Sequence, residues 1–254
     1  MFETAKNLTE LAKNITETPT VKRTFDNWLY RKTRKFNIES EMMQMEDAEK
    51  LKKFHESLQN GFESVPVEYR VEPRRCIADR AYDSSLYYIE EDELINLFEN
   101  LIVASSDERY LSDSHPAFIS IIEQLSPLDA RNLMLFKKQD LQPIVDYVYD
   151  LKSGYSVFYP DVFLENPEEQ NINLQCVSIR NLVRLGLLEL PEKQFSRLPD
   201  DSVYEKYKQT PLYLSLLSRL NSGQLPPDVI GVKTIDSYVA LTALGKSFLK
   251  VCVR

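Results

Sequence analysis

Glycine is the first scarcity: the 254-residue chain holds only 6. That disfavours glycine-rich phosphate loops and β architectures built on glycine turns. Histidine and cysteine are nearly as rare, at 2 and 3. Cys76, Cys176 and Cys252 are odd in number and widely spaced, so the expectation is three reduced thiols, not a disulfide framework or a zinc site. Neither a metal nor a cofactor is implied. No apolar run approaches the ~20 residues that a membrane span needs. The opening stretch MFETAKNLTELAKNITE is amphipathic and mixed in charge, without the apolar core of a secretion signal, and a cytoplasmic location is expected. Walker, GxSxG, HExxH and CxxC patterns are all missing. A nuclease site of dispersed acidic residues would leave no linear trace and stays open. So does a thiol–imidazole pair drawn from Cys76 or Cys176 with His55 or His115.

What is present is an ordinary globular balance, 43% hydrophobic and 28% charged, in a chain long enough for one or two domains. The net charge of −8 is uneven. Residues 171–254 carry 11 Lys/Arg against 7 Asp/Glu, a net of +4, leaving −12 on the rest. Such a split fits a nucleic-acid contact or two parts that attract each other.

Helical periodicity dominates the first half. Phe2, Ala5, Leu8, Ala12 and Ile15 form one stripe, closed by Pro19. Residues 22–36 interleave aromatics (Phe25, Trp28, Phe36) with six cations, a pattern for a nucleic-acid or membrane contact. The simpler expectation is that the aromatics face a core and the cations pair with the acidic helix that follows, where Leu51, Phe54, Leu58 and Phe62 recur. Pro73 then takes the first position of another helix. Glu90, Glu91, Asp92 and Glu93 load the start of the next, whose buried face is Leu94, Leu97, Phe98, Leu101 and Ile102. His115-Pro116 opens a further helix carrying Phe118, Ile119, Ile121 and Ile122. In Ser126-Pro127-Leu128-Asp129 the serine is an N-cap and Asp129 stands in for the usual glutamate of a capping box.

The stretch HPAFISIIEQLSPLDARNL, residues 115–133, resembles the signature of the abortive infection alpha family of bacterial and phage proteins. Upstream, VEPRRCIADRAYDSSLYYIEEDELINLFENLIVASSDE is similar to it as well, and LVRLGLLEL and LTALGKSFL continue the likeness downstream. The resemblance implies a role in phage–host conflict, in which an infected cell stops growing before phage release. It implies no catalytic residues. His115, Pro116, Ser126, Pro127 and Asp129, the polar and proline positions of the motif, are expected to be structural.

Downstream of residue 126 the element order suggests a winged-helix-like module. A capped helix is followed by the mixed stretch LQPIVDYVYDLKSGYSVFYPDVF. A helix then sets Leu174, Val177, Ser178, Leu182 and Leu185 on one face and stops at Gly186. Leu187–Leu190 reads as a strand. VIGVKTIDSYVAL reads as two more, joined around Ile235-Asp236-Ser237, and Thr242 caps a final helix. The recognition-helix equivalent would offer Arg180, Asn181 and Arg184 to nucleic acid, with no acidic residue between Asn171 and Leu188. A helical insertion near 191–228 would interrupt the wing. The expected fold is therefore mainly α (α+β): a helical domain over 1–125, then a winged-helix-like module with a small antiparallel sheet over 126–254. The expected function is phage defence by macromolecular binding, with a protein partner or self-association. A winged-helix DNA regulator and a nuclease are the alternatives.

Overall fold

The computed structural model describes residues 25–32, 45–191 and 197–253. The stripe expected over 2–15, the basic-aromatic segment beyond 25–32 and part of the insertion lie outside them. The described chain is mainly helical with one small antiparallel sheet. It divides into two compact units, one running to Gln124 and taking in the chain end from Lys250, the other Leu125–Leu249.

In the first unit, helices α1 (25–32), α2 (Met45–Ser64), α3 (Arg75–Ser85), α4 (Asp92–Ala104) and α5 (Ala117–Ile122) surround an aromatic-rich core. Phe25 stacks on Phe62 at 4.0 Å between centroids, and Trp28 meets Tyr82 edge-on. The aromatics of the basic segment are thus core residues at Phe25 and Trp28. Its Lys32 pairs with α3: Nζ donates to Asp83 Oδ1 at 2.8 Å and to the Asp79 carbonyl at 3.2 Å. Helix α3 also starts two residues later than Pro73 suggested. The Val71 and Arg74 N–H groups donate to Ser106 and Ser105 carbonyls, which holds the chain extended beside the end of α4. Helix α4 buries the five apolar residues expected of it.

In the second unit, α6 (Pro127–Leu135) leads into β1 (Leu141–Leu151) and β2 (Gly154–Val162), so the mixed stretch is a hairpin. Then follow α7 (Ile172–Arg184), β3 (Leu188–Glu189), a 3-10 helix (Asp201–Gln209), α8 (Pro211–Asn221), β4 (Val229–Leu241) and α9 (Ala243–Cys252), whose end passes into the first unit. Sheet order is β2-β1-β4-β3 with every pair antiparallel.

Strand β4 corrects the expected wing. Ile235, Asp236 and Ser237 do not turn; they pair in register with Asp146, Val145 and Ile144 of β1. One strand stands where two were expected, because no residue there demands a turn backbone and β1 supplies a partner along nearly its whole length. The hairpin lies before α7 instead of after it, which departs from the order expected of a winged helix.

The insertion packs on the sheet through tyrosines whose hydroxyls are all satisfied. Tyr207 OH donates to the Pro143 carbonyl at 2.7 Å, Tyr204 OH to Ser237 at 2.9 Å, and Tyr213 OH to Val232 at 3.1 Å. Tyr147 OH donates to the Tyr207 carbonyl at 2.6 Å. Each ring therefore buries a large apolar area without orphaning its polar tip.

Candidate functional site

Helix α7 carries the residues for which sequence suggested a contact role, and both its ends are fixed locally. Asn171 Oδ1 accepts the Asn173 and Leu174 N–H groups at 3.0 and 3.4 Å, an N-cap. At the other end Leu187 N–H reaches the Leu182 carbonyl and Gly186 N–H the Val183 carbonyl. That is a Schellman stop, and Gly186 supplies its φ of 74° without strain.

Between these ends the packed face keeps Ser178 and Leu182 inside, as the spacing suggested, but is shifted around the helix away from Leu174 and Val177. Leu174 and Val177, expected on the packed face, are 48% and 66% exposed. The buried positions are Gln175, Ser178, Ile179 and Leu182. The reason is a polar network with α6. Asn132 Nδ2 donates to Gln175 Oε1 at 3.0 Å and to Ser178 Oγ at 2.9 Å. Asn166 Nδ2 donates to Asn132 Oδ1 at 2.8 Å, and Gln175 Nε2 donates to the Asn166 carbonyl at 3.1 Å. A buried amide is tolerated when its donors and acceptors are matched, and here Asn132 and Gln175 match each other.

The three residues singled out from sequence share the outward side. Arg180 forms an ion pair with Asp161, a fully buried carboxylate. Asp161 sits at φ 54°, and its N–H donates to Asp146 Oδ1 at 2.8 Å, where β1 and β2 lose register. Asn181 Nδ2 donates to Asp129 Oδ2 at 2.9 Å. Arg184 donates through Nε and Nη2 to Asn181 Oδ1 at 3.0 and 2.8 Å. All three are tied to their own chain, while the Arg180 and Arg184 side chains remain exposed at the helix surface. Neither Asn171 nor the pairing of Asn132 with Gln175 stood out in the sequence; the Asn171-x-Asn173-Leu174 start was a readable cap.

The motif residues are placed as follows. Ser126 Oγ accepts Asp129 N–H at 3.2 Å and Asp129 Oδ2 accepts Ser126 N–H at 2.8 Å, a reciprocal capping box with Pro127 inside it. His115, exposed, accepts Ala117 N–H through Nδ1 at 3.1 Å, and Pro116 immediately precedes α5.

Chemistry is muted around α7. Burial, then the Asp161 carboxylate, push the Cys176 thiol up to about 12, so it stays protonated at neutral pH and lacks thiolate character. Among the described residues no group of three or more His, Cys, Asp or Glu side chains could hold a metal ion, and no helix is long and apolar enough to cross a membrane. No curated protein and no solved structure matches the chain. A family model does: that of abortive infection alpha covers residues 46–252, from the second helix of the first unit through α9, and the chain belongs to that family.

Proposed function

We propose that the chain acts in abortive infection, a phage-defence response, by binding a macromolecule through the outward side of α7, and not by catalysis. The observation that carries this is the pair of apolar residues left on the outward side of the helix. Polar Gln175 and Ser178 point in, while Leu174 and Val177 stand in solvent. Two exposed apolar residues three apart are neighbours on the helix surface and suit a contact surface. Family membership supplies the biological setting.

A protein surface suits this side better than a nucleic acid. Its centre is apolar, and the three residues suited to reading base edges are engaged within the chain: Arg180 on Asp161, Asn181 on Asp129 and Arg184 on Asn181. No tight duplex binding is expected in gel-shift titrations, in keeping with a net charge of −8.

The test uses a surface change that the fold tolerates. Val177→Glu should leave thermal unfolding within about 0.5 kcal/mol of wild type while relieving the restriction of phage plaquing that the wild-type chain confers. Full restriction by a folded Val177→Glu protein would refute the proposal. Loss of restriction in a folded His115→Ala protein, with Val177→Glu fully active, would move the function to the motif helix.

A further inference from the structure

The sheet ends unequally. At one edge β3 is only two residues long and carries the exposed Glu189, a short, charged edge of the kind that resists further pairing. At the other stands β2, whose first four residues, 154–157, are all exposed. No charged residue occurs in 153–160. Protection begins only beyond Val157, where the register with β1 slips past Phe158, and at Pro160, which has no N–H to offer. Pairing with β1 decides which main-chain groups are free. Leu151 and Gly154 close the hairpin across a two-residue turn as a hydrogen-bonded pair, and the alternation of an antiparallel ladder runs on from there. Ser156 turns its N–H and C=O to Tyr149. Tyr155 and Val157 turn theirs to the open edge, and their side chains, 47% and 43% exposed, share one face.

We infer that two copies of the chain join through this edge, β2 against β2, antiparallel about a two-fold axis at Ser156. An open row of N–H and C=O groups is completed by another strand, and a two-fold contact requires that strand to be its own complement. This one is. Laid on itself about Ser156, the edge sets Tyr155 opposite Val157 on both sides of the axis, so each outward residue exchanges both of its hydrogen bonds. Those contacts are aromatic on β-branched, a favourable cross-strand pair. On the axis Ser156 meets itself at a non-hydrogen-bonded position, where side chains approach most closely and a small one fits. Without a charge in the window, no residue repels its own copy; the exposed Lys152 lies beyond the pairing. A foreign strand would require neither this symmetry nor the absence of charge. The contact is short, so the association is weak and follows concentration.

Sedimentation equilibrium of the full chain over a concentration series should show a monomer–dimer equilibrium. Ser156→Lys and Ser156→Glu each set like charges on the axis and should weaken the dimer severalfold. An equimolar mixture of the two should associate again, since only there do opposite charges meet. Tyr155→Pro removes an N–H that β1 does not use, so it should abolish the dimer with little change in the melt. Ser156→Pro breaks the ladder to β1 and should lower the melt. Pairing through β2 and binding through α7 use separate residues, so Val177→Glu should leave the dimer intact. A wild-type chain that stays monomeric up to on the order of 1 mM overturns the inference. So does a dimer that Ser156→Lys leaves unchanged, or a mixture no tighter than either variant alone. A dimer kept in Tyr155→Pro but lost in Val177→Glu overturns it too, and moves self-association to α7.

Discussion

Asp129 joins two helices with one carboxylate. Its Oδ2 accepts the N–H of Ser126 at 2.8 Å and the side-chain amide of Asn181 at 2.9 Å, while its own N–H is bonded to Ser126 Oγ. The capping half of this was legible in Ser126-Pro127-Leu128-Asp129, because capping is local and needs only residue types at fixed offsets. The link to Asn181 joins residues 52 apart and left no linear signal. The two halves separate energetically. Ser126→Ala should lower stability by about 1 kcal/mol, the usual loss of an N-cap. Asp129→Ala also removes the acceptor of the half-buried Asn181 amide of α7 and should lower it by roughly 1.5–3 kcal/mol in urea unfolding. Equal losses for the two variants would show that the Asn181 bond adds nothing.

At the scale of elements, periodicity served the first unit and misled in the second. The apolar faces of α2 and α4 were readable because what they bury is apolar at helical spacing, with His55 the exception on α2. Helix α7 was legible only in part: Ser178 and Leu182 lie inside as the spacing suggested, but its interior partner is an amide network, and no rule of spacing says that Gln175 will find Asn132. The small antiparallel sheet is present, but the hairpin expected within VIGVKTIDSYVAL is not, for a related reason. Pairing along β1 holds Ile235, Asp236 and Ser237 extended, although they read as a turn. The Gly186 stop was read correctly, and it delivers the chain to β3 at a tight junction. Thr242 Oγ1 donates to the Gly186 carbonyl at 2.6 Å and accepts Gly245 N–H at 2.9 Å. A methyl on Gly245 would overlap the Leu187 carbonyl oxygen, a backbone atom that is hard to displace, and lie 2.8 Å from Leu241 Cδ1. Gly245→Ala should therefore destabilise by about 1–3 kcal/mol through overpacking. The loss should appear as faster amide exchange at Leu188 and Glu189, whose pairing with β4 depends on that junction. Unchanged exchange there would count against it.

At the scale of the whole molecule, acid should unfold the first unit through one buried imidazole. His55 Nε2 lies 2.6 Å from the Tyr82 hydroxyl inside the aromatic core, and burial lowers its pKa from 6.5 to about 4. The sign follows from which state takes the proton. The unfolded chain protonates His55 near pH 6.5 and the folded chain only near pH 4, so stability is whole above the first value and drains away as pH falls between them. At pH 5 the linkage amounts to about 2 kcal/mol. The chain carries a single tryptophan, Trp28, packed edge-on against the same Tyr82. Its fluorescence therefore follows the unfolding of the core that holds His55, whatever happens around the sheet. Urea titrations read by Trp28 should show a lower midpoint at pH 5 than at pH 7.5. His55→Gln keeps an amide beside the Tyr82 hydroxyl and removes the titration; it should begin less stable at pH 7.5 and lose about 2 kcal/mol less between the two pH values. If wild type and His55→Gln lose stability in parallel, the acid sensitivity belongs to the carboxylates and not to the imidazole.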